Sequence, residues 1–577
     1  MSKLNIDQRT ISSFFSDKRS DFLIPDYQRP YAWTQDECET LWEDLFLFAF
    51  PNNSSSDFDS ENDEYFLGLI VTFKNLDGQQ EIIDGQQRLT TIMLLLRAFY
   101  SKFEAAMDSD TVETRKLIAK CIWKTDELGH PLFDRLKIDS EVASDDDKEE
   151  FLAILRDGKA EKDRKSRYAK TYAYFSKKIS EFVSTMPMYT ALFPIRILNN
   201  VILLPIEAES QDTALRIFST LNDRGLPLSD ADIFKSQFYK HYSEADRKDE
   251  FIRRWKALEE GANAILHPMR GTPTDELFAR YMYYRRAKKG IRDTTTASLR
   301  DFFGTDGYAI LKEEETLGDL EALLGFWKLV DAREGFNDRV LRRLFVLNYA
   351  PNGMWANLVS VWFLANRNVE GELNDSEFCD FLNKITAFIF AYAIERPGVN
   401  ALRSPVYPEM INIVKHRPVE FSNHRFDHLS IAERFRTYVF TNGRPVTKSM
   451  LTWWAFSNPD QPLIDLDTTL EIEHIYAKKR NEVEPLFKRA NLEALGNKSL
   501  IEKRVNIRAA DYRFQDKRKY YEGFTDGNGK HKEGTKVAEL KRLVQTRDDF
   551  EEVDIETRTG RIVDAFVDYL GENGLLK

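Results

Sequence analysis

The sequence predicts an α+β, multidomain protein on three observations. Strand-like and helical signals alternate through the first hundred residues, a buried-type strand recurs at Asn200 to Glu207, and helical periodicity dominates from about Ser243 to Phe440. At 577 residues the chain exceeds what one core organises, and size alone divides it into about three or four domains. The pattern divides it as 1–242, 243–440 and 441–577, with Asn442-Gly443-Arg444-Pro445 as the turn before the third segment.

Taken in order, Phe22-Leu23-Ile24-Pro25 reads as a short extended piece closed by proline. Gln35 to Phe50 reads as a helix, because Cys38, Leu41, Trp42 and Leu45 recur at three- and four-residue spacing. Asn52 to Glu64 is a polar, acidic loop. Tyr65 to Phe73 and Glu81 to Ile83 read as strands separated by the turn Asp77-Gly78, and Thr90 to Tyr100 as a strongly apolar helix. Asp108 to about Val183 reads as mainly helical. There Tyr168, Tyr172, Phe175, Ile179 and Phe182 form one helix face, a core stripe in preference to a base-stacking platform. Asn200 to Glu207 is a buried-type strand, and Thr213 to Leu221 a helix leading into Asn222-Asp223-Arg224-Gly225. The helical middle is broken by loops at Gly271-Thr272-Pro273 and Pro351-Asn352-Gly353.

Composition excludes several classes. A hydrophobic content of 42% with 31% charged residues describes a globular chain, not a disordered one. Cys38, Cys121 and Cys379 are odd in number and far apart, which argues against a disulfide framework or a thiolate zinc site and fits a reducing cytoplasm. No apolar run approaches the ~18 residues of a membrane span. The net charge of −12 speaks against a surface coated in nucleic acid. Locally the sign reverses: Lys478 to Lys519 holds 13 Lys/Arg against 6 Asp/Glu, which suits phosphate contact or a solvated helix face.

That basic stretch surrounds the most informative residues. Ile472-Glu473-His474-Ile475 is followed by Leu495-Gly496-Asn497-Lys498-Ser499-Leu500 and then Asn506. An acidic–His pair with two later asparagines suits a one-metal nuclease. A neutral imidazole takes a proton from water, carboxylate and amide oxygens hold a hard divalent cation, and a further amide holds the imidazole in one tautomer. A lone histidine at a strand end is more often a satisfied core residue, and only the full set favours the nuclease.

A second constellation is Asp84-Gly85-Gln86-Gln87-Arg88, between a strand and an apolar helix. Free backbone N–H groups and the positive helix end meet there, Gly85 permits close approach, and Arg88 can fork onto phosphate while Asp84 meets a metal or a ribose hydroxyl. Many strand–helix turns carry Gly and Arg with no ligand, so these residues alone favour a structural turn. No Gly-x-x-x-x-Gly-Lys-Ser/Thr loop occurs. Upstream, Gln28 and Arg29 either reach the same pocket or bridge loops; Tyr31 and Trp33 read as packing. Asn222 and Arg224 either close the pocket or form the turn before a helix.

Both constellations resemble GmrSD-type restriction enzymes, the Type IV, modification-dependent endonucleases of bacterial phage defence. Glu473-His474-Ile475, Leu495 to Leu500 and Asn506 resemble the HNH (ββα-metal) nuclease module of the C-terminal half. The Asn497-to-Asn506 spacing is also similar to the HNH domain of RNA-guided CRISPR nucleases. The resemblance implies His474 as general base, Asn497 as its orienting residue, and Glu473 and Asn506 as ligands of Mg²⁺ or Mn²⁺. Ala477 departs from the pattern, since the family usually carries proline three residues after the histidine.

Gln28-Arg29-Pro30-Tyr31-Ala32-Trp33 with Asp84 to Arg88 resembles the N-terminal half, which is related to the ParB/sulfiredoxin nucleotide-binding fold. Phe218 to Lys235 resembles a second segment of it. The implied nucleotide-binding residues are Gln28, Arg29, Asp84, Gly85, Gln86, Gln87 and Arg88, for a nucleoside triphosphate (GTP, ATP or UTP). The resemblance therefore implies a nucleotide-regulated, metal-dependent endonuclease with NTPase activity. Its partner is double-stranded, modified phage DNA, the protein acts in the cytoplasm without a membrane, and a homodimer is allowed. The alternatives are a nucleotide-switched DNA-binding protein with a decayed nuclease site, and an RNA-cleaving toxin.

Overall fold

The computed structural model describes residues 5–577 apart from 7, 76, 143–146, 161–165, 211–212, 215–216, 218–228, 399, 466 and 511. Asn222, Arg224 and most of the helix expected from Thr213 to Leu221 lie outside the described residues. The chain forms two compact units, Met1–Ala257 and Leu258–Lys577.

The first unit is built on a seven-stranded mixed sheet. In chain order its described strands are β1 (Asn5–Ile6), β2 (Arg9–Thr10), β3 (Phe22–Ile24), β4 (Tyr65–Lys74) and β5 (Gln80–Asp84). A separate hairpin of β6 (Trp123–Thr125) and β7 (Pro131–Leu136) follows, and β8 (Ile138–Ser140) and β9 (Val201–Ala208) complete the sheet. The spatial order is β1-β9-β4-β5-β3-β8, with β2 also on β9. The expected turn joins β4 and β5, with Gly78 at φ 84°.

The expected helices form. Gln35–Ala49 starts at a capping box in which Thr34 and Glu37 satisfy each other's backbone N–H groups. Gln86–Phe103 buries fourteen of its eighteen residues, so it runs through the core and does not ride on its surface. The stripe from Tyr168 to Phe182 lies on Arg167–Thr185 and is buried throughout, as core packing requires. The stretch after Asp108 is mainly helical, as expected, with a short β interruption that the sequence does not single out. Ser109–Ile122 ends at Trp123, whose β-region backbone begins β6, and β8 adds an edge strand to the sheet. These strands have only three to six residues, too short to show a period of two.

In the second unit, the described elements from Pro273–Lys288 to Pro445–Ser457 are all helical. Thr272 caps the first of them with Pro273 at its first turn, as the Gly-Thr-Pro loop predicts. Two antiparallel strands follow, β10 (Leu470–His474) and β11 (Lys498–Glu502), with His474 opposite Lys498 and Glu473 opposite Ser499. The short helix Lys503–Ala509 packs on both, completing a β–β–α order. Among the described residues no helix is long and apolar enough to cross a membrane.

Candidate active site

The β10–β11 pair sorts the predicted residues onto two faces, because successive side chains of a strand point to opposite sides. His474 shares its face with Lys498, directly across the ladder. Its Nε2 lies 3.3 Å from Glu493 Oε1, and Lys498 Nζ holds the other oxygen of that carboxylate at 2.7 Å. Lys498 has no exposed surface in its side chain and also donates to Asn442 Oδ1 at 2.5 Å. Burial first, then the Lys498 ammonium, pushes the imidazole down to about 4 against the opposing pull of Glu493. Burial tends to raise the Glu493 carboxyl, but the bond and charge of Lys498 outweigh it and leave it below the usual range. A neutral ring facing an ionised carboxylate must turn its N–H toward it, so Nε2 carries the proton and Nδ1 the lone pair.

Asn497 is fully buried and bonds to main chain, not to the imidazole. Its Oδ1 accepts from Tyr476 N at 2.7 Å, and its Nδ2 donates to Tyr476 O and Leu492 O. Ile475 N donates to Asn497 O at 2.9 Å, so the two residues after His474 are locked to this one. Asn497 thus bears on His474 only through the loop that follows it. Ala477, at the family's proline position, has φ −66° and ψ 146° and begins the helix Lys478–Val483. That φ is the value a proline ring fixes, so the loop keeps its proline-like shape without one.

On the other face stand Glu471 and Glu473. The resemblance implies Glu473 and Asn506 as metal ligands; in the structure Asn506 Nδ2 donates to Glu471 Oε2 at 2.7 Å. Glu473 Oε1 accepts from Lys517 Nζ at 2.6 Å and from Tyr521 Oη at 2.5 Å, all three side chains buried. Lys517 also donates to His474 O, tying the helix Phe514–Glu522 to the strand end. Burial, then the Glu473 charge, raises the Tyr521 hydroxyl well above its ordinary value, so it remains a donor. Among the described residues no group of three or more His, Cys, Asp or Glu is gathered to hold a metal. Glu471, Glu473 and Asn506 offer oxygen alone, which suits a hard cation that keeps several waters. Glu471 and Asn506 fit that task better, because a buried ammonium already neutralises Glu473.

The turn Gly496-Asn497 rests against the helix Glu552–Glu572. A Cβ on Gly496 would come within 1.9 Å of Ile555 O, so only glycine fits there. Arg558 Nη1 donates to Leu495 O, Gly496 O and Lys498 O at 3.0, 3.0 and 2.7 Å. The basic stretch around the site is largely paired: Arg480 with Asp549, Arg513 with Glu484, Lys488 with Glu556, and Arg518 with Asp548. Lys479, Arg489, Lys503, Arg504 and Lys519 remain exposed. Glu471, Glu493, Lys517 and Tyr521 are the site residues that sequence reasoning missed. Two glutamates alternating along the strand could have flagged Glu471; nothing local flags the others.

The second constellation is a tight turn, as expected. Gly85 has φ 93°, and a Cβ there would meet Ile70 Cδ1 at 2.3 Å. Arg88 Nη1 crosses Gly68 to reach Leu69 O at 2.9 Å, and Arg88 Nη2 lies 3.8 Å from Asp84. Burial raises the Asp84 carboxyl, with the Arg88 charge opposing. The glutamines are used differently from the ligand role implied for them. Gln28 Nε2 donates to Ile82 O and Ile83 O, Gln86 Nε2 to Arg29 O, and Gln87 Nε2 to Pro30 O. Gln87 Oε1 accepts from Ala32 N at 2.7 Å. They knit the loop Gln28 to Trp33 onto the sheet and the first helical turn, and only Gln86 Oε1 is buried without a partner. Asp84, Arg88 and Arg29 stay partly exposed.

With this geometry in place, comparison with known families is decisive. The N-terminal domain model of the GmrSD restriction endonuclease matches residues 11–239, and the C-terminal domain model of GmrSD restriction endonucleases matches residues 422–565, together well over half of the chain. The chain belongs to the GmrSD restriction endonuclease family. Each GmrSD match encloses one of the two constellations, Asp84 to Arg88 in the first and Glu471 to Asn506 in the second. By family it is a DNA endonuclease of a restriction system. No curated protein matches the chain.

Proposed function

We propose that the chain is an HNH-type, metal-dependent endonuclease that cuts modified DNA in phage defence, under the control of a nucleoside triphosphate. The observation that carries this reading is the neutral His474 ring, held by Glu493 at the end of β10 on a loop locked by Asn497. Nδ1 of His474 takes the proton from the attacking water, and the ionised Glu493 stabilises the imidazolium that results. Glu471 and Asn506 would hold Mg²⁺ or Mn²⁺, which when bound stabilises charge on the scissile phosphate. The exposed Lys479, Lys503 and Arg504 hold the DNA backbone. The β–β–α order and the proline-like backbone of Ala477 support an intact module over a decayed one.

Arg88 and Arg29 contact the phosphates of the nucleotide at the helix start, with Asp84 beside them. Its control of the nuclease requires that it bind two conformations unequally. The test is plasmid nicking with Mg²⁺ or Mn²⁺, on unmodified and modified DNA and on RNA, with and without GTP, ATP or UTP. His474→Ala should lower DNA cleavage about 100- to 10,000-fold, the usual cost of losing a general base. A folded variant that cuts at the wild-type rate would overturn the reading, and preferential RNA cleavage would reassign the substrate.

A further inference from the structure

Beside the phosphate turn, the first unit contains a cleft that neither constellation uses. It has a volume of about 610 Å³ and lies between the start of the helix Gln35–Ala49 and the outer face of Arg167–Thr185. That volume is in the range of small-molecule sites, which run from roughly 300 to 1,000 Å³. Two aromatic side chains line it, Trp33 from the loop and Tyr174 from the helix, both partly exposed. Arg167, Lys170, Lys177 and Lys178 line it too, against only Glu39 and Glu181, a cationic excess in a chain of net charge −12.

The pairing within the cleft is loose. Lys178 lies 3.6 Å from Glu39 and Lys177 3.8 Å from Glu181, while among the described residues Lys170 has no carboxylate partner. Lys178 Nζ lies 5.7 Å from the centre of the Tyr174 ring, so charge and π-face already stand side by side. Rings offer a stacking surface to any base, and flexible ammonium groups offer charge to any phosphate. Each alone is common on protein surfaces; their meeting in one concave site is specific to a ligand carrying both chemistries.

The cleft is also tied to the turn. The backbone of Ala32 is held on both sides: its N–H donates to Gln87 Oε1 at 2.7 Å, and Arg167 Nη1 donates to its carbonyl at 2.7 Å. Gln87 belongs to the phosphate turn and Arg167 to the cleft wall, so a ligand drawing on Arg167 acts on the loop that the turn holds.

We propose that this cleft is a second ligand site, separate from the Asp84–Arg88 turn, that binds a nucleotide unit, its base against Trp33 and Tyr174 and its phosphate among Arg167, Lys170 and Lys177. The unit comes either from a free nucleotide or from a strand of DNA. The test is calorimetric titration of the full chain in EDTA with deoxycytidine monophosphate, with a twelve-residue single-stranded oligonucleotide and with inorganic phosphate. Titrations are run on the wild type and in an Arg88→Ala background, the latter carrying the cleft variants so that binding at the turn, if the nucleotide reading above holds, does not contribute. Lys170→Glu/Lys177→Glu reverses two exposed charges without touching the core. It should weaken the nucleotide probes at least tenfold at an unchanged melting temperature, and Trp33→Leu should weaken them several-fold. Binding of the monophosphate alone identifies a free nucleotide as the source; binding of the oligonucleotide alone identifies a strand. The proposal is overturned if neither binds, if the double variant binds as the parent does, or if inorganic phosphate binds as tightly as the monophosphate. Wild-type nucleotide binding that disappears wholly with Arg88→Ala places all of it at the turn, which also overturns the cleft.

Discussion

His474 presents Nε2 to Glu493 Oε1 at 3.3 Å, and Lys498 anchors that same carboxylate from the opposite strand. The ring is thus buried beside one negative and one positive charge, and its protonation depends on which is removed.

The imidazole is pushed down to about 4 in the folded chain, so it remains neutral, and able to accept a proton, until the pH falls toward that value. The acid limb of the cleavage rate should therefore lie well below the ordinary histidine value of about 6.5. Lys498→Met removes a charge that opposes protonation and leaves Glu493 to favour it, so the limb should move up in pH. A cleavage–pH profile of both proteins checks the sign; an unchanged limb would show that Lys498 does not set the protonation of the base.

Metal affinity should follow Glu471 more closely than Glu473. Glu471→Gln and Asn506→Ala should each weaken Mn²⁺ binding and lower cleavage by ten-fold or more, and excess EDTA should stop the wild type. Manganese titration by electron paramagnetic resonance reads binding apart from activity. If Glu471→Gln binds manganese as the wild type does, Glu471 is not a ligand.

Lys517→Met should destabilise the second unit by about 3–5 kcal/mol, the usual result of leaving one member of a buried ion pair alone. Adding Glu473→Gln should recover part of that loss by removing the stranded charge. Denaturant melts of the single and double variants give the coupling directly, and additive losses would mean that the 2.6 Å contact carries no net interaction.

Ala477→Pro should be accepted, because the backbone already has the φ of proline and the ring narrows the unfolded ensemble. The expected gain is about 0.4–1 kcal/mol in unfolding free energy with cleavage retained. Loss of stability would show that the buried site lacks room for the ring.

The sequence made the nuclease legible through residues whose chemistry is written locally. Glu473, His474, Asn497 and Asn506 share a motif, and the strand, the turn and the first helical turn around Asp84 follow from short-range rules. Their partners were not legible. Lys517 and Tyr521 reach Glu473 from 44 and 48 residues away, and Asn506 meets Glu471, 35 residues before it, because strand alternation sets the facing side chain. Gln86 and Gln87 are implied as ligands only by the resemblance of the Asp84 to Arg88 segment. Their amides instead serve backbone groups of a loop more than fifty residues upstream, a need that appears only once loop and helix are in contact.

The grip of Arg558 on Leu495, Gly496 and Lys498 carries a consequence for biosynthesis. The ribosome delivers Glu473, His474, Asn497 and Asn506 well before it delivers Glu552–Glu572, the helix on which their turn is braced. A nascent or prematurely terminated chain that stops short of that helix carries all four of these residues without the brace on their turn. If those residues do the cutting, a copy that ends before the brace is an inactive one.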